Sequence, residues 1–142
     1  MEQIYNYHIN KILNFLRQNN FQGRYVYGGI TEQDINVRKN QHINTNQPIQ
    51  CNNNWNIVEI SHIKINNKYT INDYINMIAQ LEQFLINNLN NIYGFNCVNN
   101  RNINGNIAQM GGNGLNNRNL QIGDKVSLYV FYGYKNNLIT FH

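Results

Sequence analysis

Charge is the scarcest property of this chain. Only 13% of its 142 residues are Asp, Glu, Lys or Arg, seven acids against eleven bases. The net charge of +4 and the pI near 9.1 therefore come as much from few acids as from many bases. No run of Lys or Arg occurs, which removes the electrostatic footprint of a dedicated duplex binder. The acids are scattered, so a glycosidase-type acid pair or a carboxylate cage for a hard cation would have to be assembled wholly by the fold.

Cysteine is limited to Cys51 and Cys97, and proline to Pro48. Two distant cysteines make no disulfide framework, so reduced thiols are expected. Together with His8, His42, His62 and His142 they form no C-x-x-C or H-x-x-x-H spacing, and neither a metal nor a cofactor is expected. No stretch reaches the apolar length of a bilayer span. The residues after Met1 lack the charged and apolar regions of a signal peptide, so a cytoplasmic, intracellular protein is expected.

Amides fill the place of charge, with 33 Asn and 11 Gln. AT-rich coding raises Asn and Lys together, yet there are only six Lys. The Asn content is thus a property of the protein, and an amide surface resists self-association less than a charged coat would. With 42% hydrophobic residues over this length, one globular domain spanning residues 1–142 is expected.

The strongest pattern lies between Thr70 and Gly94. Ile71, Tyr74, Ile75, Ile78, Leu81, Leu85, Leu89 and Ile92 share one face at helical spacing. Thr70 with Asp73 predicts the N-terminal cap, and Gly94 a left-handed close. Residues 3–18 predict a first amphipathic helix through Ile4, Tyr5, Ile9, Ile12, Leu13 and Leu16.

Strands are predicted at 24–31, 55–66 and 125–134, the first with a bulge or close approach at Gly28 and Gly29, the second with Ile57, Glu59, Ser61, Ile63 and Ile65 on one face and Val58, Ile60, His62 and Lys64 on the other. A turn at 135–137 leads to a hairpin partner at 138–142. Residues 34–39 are expected to extend a hairpin and 40–54 read as a loop. Residues 95–122, rich in Asn and Gly, read as a long ordered loop. The expected fold is α+β, a mainly antiparallel sheet with two amphipathic helices on one face.

Three constellations could carry chemistry. Arg24, Tyr25 and Tyr27 on one strand, with Tyr129, Phe131, Tyr132, Tyr134 and Lys135 on another, could stack bases and hold phosphates. His62 and Lys64 share a strand face and, with Arg24, could meet an anionic substrate. A Cys51–His42 pair rests on residue type alone. The cluster at Gly111, Gly112 and Gly114 lacks the following helix that a phosphate loop needs.

These features rank a small non-enzymatic assembly or binding protein first, one that self-associates or takes a protein partner. Its composition suits an accessory or structural subunit of a virus or mobile element. The second reading is a module for a nucleotide or single-stranded nucleic acid, using the aromatic-basic face. The third is a small enzyme acting through His62 and Lys64. No membrane partner is expected.

Overall fold

The computed structural model describes residues 1–99 and 119–134. They form α1 (Glu2–Gln18), β1 (Tyr25–Thr31), α2 (Ile35–Thr45), β2 (Asn56–Lys64), α3 (Ile71–Asn91), β3 (Asn96–Cys97) and β4 (Lys125–Gly133). The strands make a mixed sheet in the order β2-β4-β1-β3, in which β4 is antiparallel to both neighbours and β1 runs parallel to β3. The fold is therefore α+β with mainly antiparallel pairing.

The two amphipathic helices lie on one face, as their apolar stripes require. Leu81, Leu85 and Leu89 of α3 and Ile12 of α1 have no exposed surface and pack with Val26, Leu128 and Val130 of the sheet. Thr70 caps α3, its hydroxyl accepting from the Asp73 amide at 3.1 Å. Gly94 takes a φ of +88° in the turn after the helix, where Phe95 N–H donates to the Ile92 carbonyl at 3.2 Å. Its own carbonyl accepts from Gly23 N–H at 2.8 Å and ties the end of α3 to the start of β1.

The segment expected to be hairpin and loop is instead a helix. α2 begins at Asp34, whose carboxylate accepts from the Asn36 amide at 2.9 Å, and ends at Asn46 in the left-handed region. It lies on the opposite face of the sheet from α1 and α3, against Tyr129 and Phe131. Its inward side carries Arg38 and His42, one helical turn apart. A helix whose buried face is polar gives no apolar period to detect.

β2 departs from the alternation expected of it. Its register on β4 shifts between Glu59 and Ser61, a β-bulge that changes which face later residues occupy. Ile57, Glu59, His62 and Lys64 lie opposite Phe131, Tyr129, Ser127 and Lys125 on the α2 side. Val58, Ser61 and Ile63 lie opposite Val130, Leu128 and Val126, whose side chains enter the main core. The apparent mixing of polar and apolar residues on both faces is the signature of that bulge. No bulge occurs at Gly28 and Gly29, where side chains rather than backbone come close.

The strand at 125–134 is central. β1 and β2 occupy its two edges, whereas the segment 138–142, expected to pair with it, lies outside the described residues. The long loop opens as β3, which pairs with β1 for two residues. The Asn99 amide then continues the pairing, accepting from Gly28 N–H at 3.1 Å and donating to the Gly28 carbonyl at 2.8 Å. Residues 100–118 lie outside the described residues.

Candidate functional site

The α2 face of the sheet holds the densest polar group among the described residues. Tyr129 reaches it because Gly29, its partner across the strands, has no side chain: a Cβ there would stand 2.6 Å from the tyrosine ring. The Tyr129 hydroxyl lies 2.8 Å from His42 Nε2 and 3.2 Å from Arg38 Nε. His42 Nδ1 lies 2.8 Å from the Gln47 carbonyl.

Proton positions follow from these partners. A carbonyl only accepts, so His42 Nδ1 carries the hydrogen and Nε2 is the acceptor. Tyr129 therefore donates to His42 and accepts from Arg38, giving one directed chain from guanidinium to phenol to imidazole to backbone. Burial, followed by the positive charge of Arg38, lowers the His42 pKa to about 4. Burial and then the neighbouring Tyr27 raise that of Tyr129. Both groups are neutral at pH 7, and the chain is a satisfied buried network that locks α2 to the sheet.

Aromatic rings surround it. His42 stacks on Phe131 with centroids 4.6 Å apart and planes 14° apart, and Trp55 packs on Phe131 at 5.0 Å. Tyr25 stacks on Trp55, and Tyr27 meets His42 edge-on. Trp55 N–H is satisfied by the Tyr134 carbonyl at 2.8 Å. At its other end the face opens into a cleft of about 390 Å³ whose lining includes Glu32, Asp34, Glu59, Lys125 and Ser127. Ser127 donates to Glu59 at 2.5 Å.

No family model, curated protein or solved structure matches this chain.

Four of the seven residues singled out from the sequence come together here: Tyr25, Tyr27, Tyr129 and Phe131. They form a core rather than an open platform, for Tyr129 and Phe131 have no exposed surface and only Tyr25 and Tyr27 are half-buried. Arg24 points to the other face, its guanidinium 5.7 Å from the Tyr132 ring centroid and 5.2 Å from that of Tyr134. His62 and Lys64 are exposed on the α2 side, and His62 lies 3.5 Å from Glu59. Arg24 borders the Tyr25–Gly133 end of the sheet, whereas His62 pairs with Ser127. At about 3.3 Å per strand residue, roughly 20 Å of β4 separates the two ends, so the three cations do not converge.

Cys51 does lie beside His42, but its thiol donates to the His42 backbone carbonyl at 3.5 Å while the imidazole is engaged elsewhere. Burial raises the Cys51 pKa, which disfavours the thiolate. Cys51 and Cys97 are both buried free thiols. Among the described residues no group of three His, Cys, Asp or Glu could hold a metal ion, and no helix is long and apolar enough to cross a membrane. Lys135, His142 and the glycines at 111, 112 and 114 lie outside the described residues.

Arg38 is the member of the network that sequence reasoning missed. Its signal was the i, i+4 spacing to His42 behind an Asp34 cap, legible only once the segment is taken as a helix.

Proposed function

We propose that this chain is a non-enzymatic assembly or binding subunit that associates with copies of itself. The observation that carries the reading is β2, a nine-residue strand at the margin of the sheet with no second neighbour among the described residues. Such an edge presents a row of backbone donors and acceptors to any extended partner. Edges are ordinarily guarded by charge, proline or a bulge; β2 has no proline, its Lys stands at the last position, and its bulge lies mid-strand between Glu59 and Ser61. A surface poor in charge adds little repulsion between copies. The histidines and carboxylates best placed for chemistry are engaged internally, His8 with Ser61 at 2.6 Å, His42 with Tyr129, and Glu59 with Ser127. The amide-rich composition is what favours a viral or mobile-element setting.

Light scattering across a dilution series tests the reading. Association gives a mass above the 16.7 kDa of one chain, falling on dilution, whereas 16.7 kDa at every concentration would refute it.

One observation favours a second reading. Arg24 lies over Tyr132 and the exposed Tyr134, a cation beside aromatic rings of the kind that holds a phosphate and stacks a base. Salt-sensitive binding of a short single-stranded oligonucleotide, lost in Arg24→Gln and Tyr134→Ser, would support it. Unchanged binding in both variants would remove it.

A further inference from the structure

We propose that β2 pairs antiparallel with β2 of a second copy about a two-fold axis between Ile60 and Ser61, joining two sheets into one. The inference rests on the assembly reading and names its partner and register.

The bulge makes this possible. In a regular strand, residues an odd number apart point to opposite faces, so a two-fold axis between two residues would set core-facing against solvent-facing side chains. Here the register shift between Glu59 and Ser61 resets the alternation. Ile57 and Glu59 before it, and His62 and Lys64 after it, all lie on the α2 side. Val58, Ile60, Ser61 and Ile63 serve the main core, where Val58 and Ile60 pack, Ile63 is buried and Ser61 bonds His8. Read outward from the axis, the two halves of the strand present the same order of faces.

Antiparallel pairing about that axis then opposes residues of like face throughout. Val58 meets Ile63, Ile60 meets Ser61, and Ile57 meets Lys64. Glu59 meets His62, and by symmetry the contact occurs twice. Lys64 is diagonal to the opposing Glu59, within reach of a long side chain. Each carboxylate thus faces an imidazole with an ammonium beside it. His62 is 54% exposed and Glu59 31%, and the two lie 3.5 Å apart within one chain, so pairing brings two such Glu59–His62 pairs together across the axis. A bulge usually blunts an edge against pairing; this one makes the edge complementary to itself, as an isologous interface requires.

The test uses the full chain, with light scattering over a dilution series and amide hydrogen exchange read at low and high concentration. His62→Glu sets like charges opposite each other twice and should raise the dissociation midpoint about tenfold. His62→Lys keeps the attraction and should stay within about threefold of the parent. Circular dichroism melting checks that both variants fold, the outcome expected for an exposed position. Concentration-dependent protection of β2 amides together with the Glu and Lys contrast supports the proposal. Association that ignores His62→Glu and leaves β2 amides unprotected overturns the pairing while the assembly reading stands. A parent chain monomeric throughout overturns both.

Discussion

Removing a single oxygen, Tyr129→Phe, tests whether the buried polar chain holds α2 in place. The ring keeps its packing over Gly29, but the hydroxyl that donates to His42 and accepts from Arg38 is gone. His42 Nε2 is left as an acceptor on a side chain only 3% exposed, and an unsatisfied buried group costs about 1–3 kcal/mol. Arg38 is half-buried and can turn its Nε–H toward water, so it adds less. The expected loss is about 2–3 kcal/mol, which lowers Tm by roughly 6–10 °C for a domain of this size. Urea unfolding followed by far-ultraviolet circular dichroism measures it. His42→Phe isolates the pair: the double variant should lose clearly less than the sum of the single losses, because an apolar pair leaves neither partner stranded. A Tyr129→Phe loss below about 0.5 kcal/mol, or strict additivity, would refute the reasoning.

Other perturbations follow from the same packing. His42 and His8 are both lowered from 6.5 to about 4, in each case first by burial and then by neighbouring positive groups. Between those values the unfolded chain binds protons that the folded chain does not. Stability is therefore full above pH 6.5 and falls as pH drops toward 4, by at most about 3 kcal/mol per histidine. Urea midpoints from pH 7 to 4 check this, and a midpoint that rose on acidification would contradict it. Asn99→Asp replaces the donor facing the Gly28 carbonyl with an oxygen and should cost about 2 kcal/mol or more, read by thermal melting. Gly29→Ala forces the Tyr129 ring aside and should cost about 1–3 kcal/mol, with Tyr129→Phe adding less in that background than alone. The His62→Glu and His62→Lys pair separates the β2 edge from other surfaces.

Legibility from the sequence followed the physical origin of each element. α1 and α3 bury apolar stripes, and helical periodicity in the residues reports such stripes directly. β1, β2 and β4 carry β-branched and aromatic residues between turn signals and were located for the same reason. α2 was hidden because it is anchored by Arg38 and His42 through hydrogen bonds, which leave no hydrophobic period. The faces of β2 were misassigned because a bulge cannot be seen from alternation alone, only as an alternation that fails on both faces. Tyr25, Tyr27, Tyr129 and Phe131 are neighbours in the fold, yet whether such rings form an open surface or a second core depends on what lies above them. Here α2 and Trp55 lie above them, and neither contact is visible in local sequence. β3 is too short to carry a pattern, and its continuation depends on the side chain of Asn99.

Self-association of this chain is tested by its mass in solution, from light scattering on the purified chain, with bound nucleic acid read from the ultraviolet absorbance ratio. The expected result is a discrete oligomer, free of nucleic acid, that dissociates on dilution toward 16.7 kDa. A monomer that carries nucleotide or nucleic acid would contradict it and move attention to Arg24, Tyr132 and Tyr134.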